Sequence, residues 1–72
     1  MRIEHMREYI AVAEAGSITA ASELLYVAQP VLSKHLKTVE RELGVELFVR
    51  TSRGVDLTAL GREACEAFKG IV

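Results

Sequence analysis

The chain has a single cysteine, Cys65, so no disulfide can form within it, and a reducing, cytoplasmic setting is expected. Cys65 itself reads as a small helix residue, not a reactive thiol. Long apolar runs are missing too. None, Leu24 to Ala28 included, approaches the ~20 residues that span a bilayer, so no membrane partner is expected. Charges at Arg2, Glu4 and Arg7 interrupt the N-terminus and argue against a secretory leader. No nucleophile stands beside a base, no second His or Cys stands at ligand spacing from His35, and no glycine-rich run offers a phosphate cradle. Catalysis, a metal and a cofactor are therefore not expected. Internal repeats, linkers and low-complexity segments are absent as well, which leaves one small domain of 72 residues. A chain of this size buries only about 60% of its unfolded surface and is marginal alone.

Excess charge of either sign is also lacking, with a net charge of -1. A nucleic-acid binder usually has a basic balance, so the average argues mildly against one. The distribution matters more, because a polyanion responds to local charge. Residues 1–26 set Arg2 and Arg7 against Glu4, Glu8, Glu14 and Glu23, a net -2. Residues 27–54 set Lys34, Lys37, Arg41, Arg50 and Arg53 against Glu40, Glu42 and Glu46, a net +2. Residues 55–72 carry a net -1. The positive charge gathers in the middle of the chain.

Helical periodicity organises the first two thirds. Ile3, Met6, Ile10 and Ala13 recur at helix spacing with Tyr9 beside them, which predicts a helix from about Ile3 to Ala15. Gly16 reads as a left-handed stop and Ser17 as the cap of a second helix, about Ile18 to Leu25. Ile18, Ala21, Leu24 and Leu25 are its expected inward residues. Tyr26, Val27 and Ala28 make a turn. Pro30 suits the first turn of a third helix, where its missing N–H costs nothing, and Gly44 ends that helix after Leu43.

Leu32, Leu36, Val39 and Leu43 form a stripe along the third helix. At about 100° per residue, Pro30, Ser33, Lys34, Lys37 and Arg41 fall in an arc roughly 140° away. If the stripe faces inward, this polar arc faces out. Two short helices with a tight link, the second bearing Gln29, Ser33 and Lys34 near its start, form a helix-turn-helix pattern suited to a DNA major groove. Beyond it, residues 46–50 and 55–57 flank a glycine-containing turn and predict a β-hairpin, with Leu47 or Phe48 facing the core. Thr58 caps a fourth helix running to the last residue, with Leu60, Ala64, Phe68 and Ile71 as its apolar stripe and Gly61 and Gly70 as weak points. The expected fold is mainly α. It is a winged helix-turn-helix of three helices and a β-hairpin wing over residues 1–57, followed by a linker and dimerisation helix from residue 58 to 72.

The strings Ala13-Glu14-Ala15-Gly16-Ser17-Ile18-Thr19-Ala20-Ala21, Ala28-Gln29-Pro30-Val31-Leu32-Ser33-Lys34, Leu43-Gly44-Val45-Glu46-Leu47-Phe48, Arg50-Thr51 and Leu57-Thr58 occur in this order over nearly the whole chain. Here the sequence resembles the N-terminal domain of LysR-type transcriptional regulators. The resemblance implies a bacterial regulator of about 300 residues. Such a regulator pairs as a homodimer through the fourth helix and senses a small-molecule effector in a C-terminal domain that this chain does not contain. The chain thus reads as a DNA-binding domain or a fragment. It departs from the family pattern twice: Ala28 stands where Ser is common, and Lys34 where Arg is frequent.

Double-stranded DNA is the partner this reading implies. Gln29 at the tip of the recognition helix can bond adenine at two points, and Pro30 and Val31 offer apolar surface to a thymine methyl. Ser33 and Lys34 complete the expected base contacts. Lys cannot make the planar two-point contact with guanine that Arg makes, so base choice at Lys34 should be softer. Ser17, Thr19 and Lys37 are expected at phosphates. The resemblance places Arg50 and Thr51 at the backbone and Arg53 near the minor groove, where narrow A·T-rich tracts attract Arg. Structural roles compete with each assignment: Ser17 caps a helix, Pro30 starts one, Val31 can pack on a flank, and Arg41 is better placed for a surface ion pair. His35 lies at the flank of the stripe and reads as a packed histidine. Dimerisation is assigned to Leu60, Ala64, Phe68 and Ile71, with Phe68 and Ile71 exposed in a lone chain. The competing function is a winged-helix protein-interaction module without DNA affinity, which Ala28 and the net acidity favour slightly.

Overall fold

A computed structural model describes residues 1–52 and 54–72. Along the chain run α1 (Ile3–Ala15), α2 (Ile18–Leu25), α3 (Gln29–Leu43), β1 (Phe48–Thr51), β2 (Gly54–Leu57) and α4 (Ala59–Ile71). The punctuation residues act as expected. Gly16 and Gly44 close α1 and α3 in the left-handed region, with φ of 67° and 73°. Ser17 Oγ accepts the Ala20 N–H at 3.1 Å, and Thr58 Oγ accepts the Gly61 N–H at 2.9 Å. The end of α2 is less orthodox. Tyr26 takes φ 56°, a region non-glycine residues seldom enter, and its ring is almost wholly exposed.

The core sits where α3 crosses α1 and α2. Leu32, Leu36 and Val39 turn inward against Tyr9, Val12 and Ala21, all buried. Two expected inward residues are not inside. Leu24 is 70% exposed, because the buried side of α2 is set by Ala21, Ser22 and Leu25, and Leu24 lies roughly 110° around from it. Leu43 keeps the angle of the stripe but stands one turn past Val39, at the last position of α3, and is 43% exposed.

The fourth helix docks through an aromatic knot. The Tyr9 ring lies edge-on to Phe68 at 5.3 Å and tilted to Phe48 at 4.9 Å, and its hydroxyl donates to the Gly61 carbonyl at 2.8 Å. Burial holds the Tyr9 phenol proton well above its ordinary value, so the hydroxyl remains a donor. The inward face of α4 is Gly61, Cys65 and Phe68. Phe68 is therefore not exposed, contrary to the sequence expectation: only 6% of it remains accessible. Leu60 and Ile71 stay outside. Cys65 is the small buried helix residue expected, and burial raises its thiol above the usual value, against a smaller opposing pull from Lys69.

The wing pairs Phe48 with Leu57 and Thr51 with Gly54 in antiparallel register. The first strand begins later than the apolar run from Glu46 suggests. The Leu47 and Phe48 N–H groups instead donate to the Glu40 carboxylate at 2.7 and 3.2 Å. Leu47 is buried, and its carbonyl accepts the Thr58 N–H at 3.0 Å. The Val55 N–H donates to the Gly16 carbonyl at 3.2 Å, so the hairpin is tied to the α1–α2 junction at one end and to α3 and α4 at the other. No helix is long and apolar enough to cross a membrane among the described residues.

Candidate nucleic-acid interface

With the leucine and valine stripe of α3 inside, its opposite side must face solvent. Gln29, Pro30, Val31 and Lys34 are exposed at the N-terminal end of the helix, and Ser33 is half-buried. Lys37, a turn further on, is also exposed. A groove separates this face from the wing. Ser33 and Lys37 of α3 and Arg50 of β1 line it, together with the apolar Ile18, Phe48 and Val55. Thr51 is exposed at the end of β1, beyond Arg50. Thr19 is exposed in the first turn of α2. Ser17 is half-buried and its oxygen already accepts the Ala20 N–H, so its structural role is fulfilled. The expected minor-groove residue Arg53 lies outside the described residues.

The charges on this face are uncommitted. Among the described residues, none of Lys34, Lys37, Arg41 and Arg50 enters an ion pair. Among the described residues, the ion pairs lie elsewhere, with Met1, Arg2 and Lys69 as the basic partners. Two acids line the groove, Glu40 and Glu46. Glu40 is engaged by the two wing N–H groups, whereas Glu46 is exposed and opposes an anionic ligand. The arrangement offers a polar helix tip, two lysines on one helix face and an arginine across a groove. Exposed cations spread over a helix face and a strand suit an extended polyanion.

Glu40 was not legible as a site residue. In the sequence it is one of several acids at the end of a helix, yet it ties the start of the wing to α3. The absent cap at Ala28 is visible directly, since α3 starts with no side-chain hydrogen bond at its N-cap. Ala28→Ser is expected to stabilise the chain by about 1 kcal/mol. For a domain of this size that raises Tm by about 4–8 °C, measurable by thermal denaturation. His35 is partly packed, as expected. No second histidine stands at ligand spacing from it in the sequence, but the fold brings His5 of α1 onto it, with ring centroids 4.2 Å apart.

Comparison with known proteins agrees with this geometry. Residues 3–62 match the model of the bacterial regulatory helix-turn-helix protein, lysR family. The HTH-type transcriptional regulator TfdT of Cupriavidus pinatubonensis is 42% identical over 62 residues, 86% of this chain and 27% of that protein. The regulator ClcR of Pseudomonas putida is 48% identical over 61 residues, 85% of this chain and 21% of that one. The chain thus spans about a quarter of the length of these relatives. Among solved structures, the CbnR_DBD-DNA complex superposes with a TM-score of 0.95 at 39% identity, covering 99% of this chain and 82% of that one. The BenM_DBD/benA site 1 DNA complex gives 0.93 at 37% identity, covering 99% and 83%. Helix order, hairpin, outward polar face and these matches lead to one assignment: the chain belongs to the lysR family of bacterial regulatory helix-turn-helix proteins.

Proposed function

We propose that this chain is the sequence-specific DNA-binding module of a LysR-type transcriptional regulator, working in the cytoplasm and acting by binding, not catalysis. The observation that carries the reading is the division of α3. Leu32, Leu36 and Val39 are at most 4% exposed, while Gln29 and Lys34 stand in solvent. The helix enters the major groove with Gln29, Pro30, Val31, Ser33 and Lys34 at base edges. Lys37, Arg50 and Thr51 meet the backbone, Ser17 and Thr19 a neighbouring phosphate, and Arg53 the minor groove. The likeness to two DNA-bound domains supports this and gives no support to an interaction-only module.

Four cationic contacts, from Lys34, Lys37, Arg50 and Arg53, give log affinity against log salt a slope of about -3.6. A fluorescence-anisotropy salt titration on duplex DNA checks this, and a slope near zero would refute the reading. Pairing of two copies runs through α4. Leu60, Ala64, Ala67 and Ile71 recur at coiled-coil spacing on a ridge roughly 90° from the buried face. Phe68 instead supports the ridge from inside. A two-fold dimer places half-sites about 10 bp apart, or a multiple of that. An effector would act through a domain outside this chain.

A further inference from the structure

We propose that His5, Glu8 and His35 form a binding site for a transition-metal ion of the zinc class, joining α1 to the recognition helix. His5 and Glu8 lie three residues apart on one face of α1, and His35 comes from α3. One donor atom from each lies within 4.8 Å of the other two. The His35 Nδ1 and a Glu8 oxygen are already 2.7 Å apart. Glu8 is nearly buried, which is uncommon for a carboxylate unless it is paired. His5 has a fully buried Nδ1 with no hydrogen-bond partner among the described residues. A buried imidazole nitrogen left unsatisfied is costly, and each such group calls for an explanation.

The donor set has a recognisable chemistry. Two imidazoles and one carboxylate bind zinc with a fourth position left to water. Imidazole also suits nickel and copper, whereas magnesium and calcium prefer oxygen donors. Tetrahedral bonds of ~2.0–2.1 Å put neighbouring donors about 3.3 Å apart. The Glu8–His35 pair must therefore open by about half an ångström, and the stacked His5 and His35 rings must turn so that both nitrogens aim at the ion. The entry path is on the His35 side, since that side chain is 29% exposed and Glu8 only 12%. The site leaves the outward face of α3 untouched, so it does not depend on DNA binding. Its bound ion would fix α3 against α1 in the position the core already sets.

The test is isothermal titration of the metal-free 72-residue chain with zinc chloride, repeated with cobalt as a spectroscopic probe. The expected result is one ion per chain at micromolar Kd, a tetrahedral cobalt absorption without a sulfur charge-transfer band, and a higher Tm with zinc. His5→Phe keeps a ring on the stack and removes a donor, and Glu8→Gln keeps the shape and removes the charge. Each is expected to weaken binding about a hundredfold, with circular dichroism confirming a folded chain. Should either variant fail to fold, His35→Gln supplies the same comparison from α3. Absence of saturable binding, equal affinity in wild type and a folded variant, or loss of binding in Cys65→Ser would each overturn the proposal.

Discussion

Gly61→Ala is expected to destabilise the chain by about 3 kcal/mol, most of the 3–5 kcal/mol that a single core of this size supplies. Alanine is the better helix former by about 1 kcal/mol, so propensity alone predicts the opposite sign. Packing decides. A Cβ at this position would run into the Leu47 carbonyl oxygen and come within 3.0 Å of the Tyr9 hydroxyl. The oxygen is backbone, held by the Thr58 N–H, and cannot step aside like the end of a flexible side chain. Gly61 also gives its N–H to Thr58 and accepts from Tyr9. Displacing it loosens α1, the base of the wing and α4 together. Gly70→Ala is the matched control. Its Cβ would meet nothing within 4 Å, and a gain of about 0.5 kcal/mol is expected. Urea denaturation of both variants tests the pair, and similar stability changes would contradict the packing argument.

Gln29→Ala combined with Lys34→Ala is expected to lower affinity for the preferred duplex about a hundredfold. Each specific base contact contributes about 1–3 kcal/mol of discrimination, and every 1.4 kcal/mol is a factor of ten. Both side chains are exposed and support no core residue, so stability should change by less than about 0.5 kcal/mol. Two further signatures separate readout from general charge. The gap between specific and nonspecific duplexes should narrow, and the salt slope should become shallower by about 1 through the loss of Lys34. The duplex comes from selection out of a random pool, since the residues do not name a target. A folded double variant with unchanged affinity would remove α3 as the reading element.

Much of this fold is written in short-range signals. Gly16, Ser17, Pro30, Gly44 and Thr58 each act through a local torsion or a cap, so the helix limits follow from neighbours a few positions apart. The outward placement of Lys34 follows from period, because α3 has one apolar stripe and one polar arc, whereas Gln29 lies near the edge of the stripe and is exposed at the first position of the helix. Where a residue's fate depended on a distant partner, the pattern misled. Apolar spacing groups Phe68 with Leu60 and Ile71, but it shares its helix face with Gly61 and Cys65 and packs inward against Tyr9, far away in sequence. Gly61 reads as a flaw in α4 until Leu47 is seen against it. Leu43 keeps the angle of its stripe but stands at the last position of α3, and Leu24 lies well around α2 from the side that Ala21, Ser22 and Leu25 set. The meeting of His5, Glu8 and His35 needs the crossing of α1 and α3, which no spacing within either helix encodes. Of the candidate face, the exposure of Lys34 and Lys37 was legible, whereas Glu40 as the brace between helix and wing was not.

Backbone amide shifts of the labelled chain, followed by NMR as a selected duplex is added, measure the contact surface most directly. The account predicts perturbations concentrated at Gln29 to Lys37, at Arg50 and Thr51, and at the start of α2, with the Leu24–Tyr26 corner little moved. Shifts confined to that corner or to α4, with the start of α3 unchanged, would contradict it.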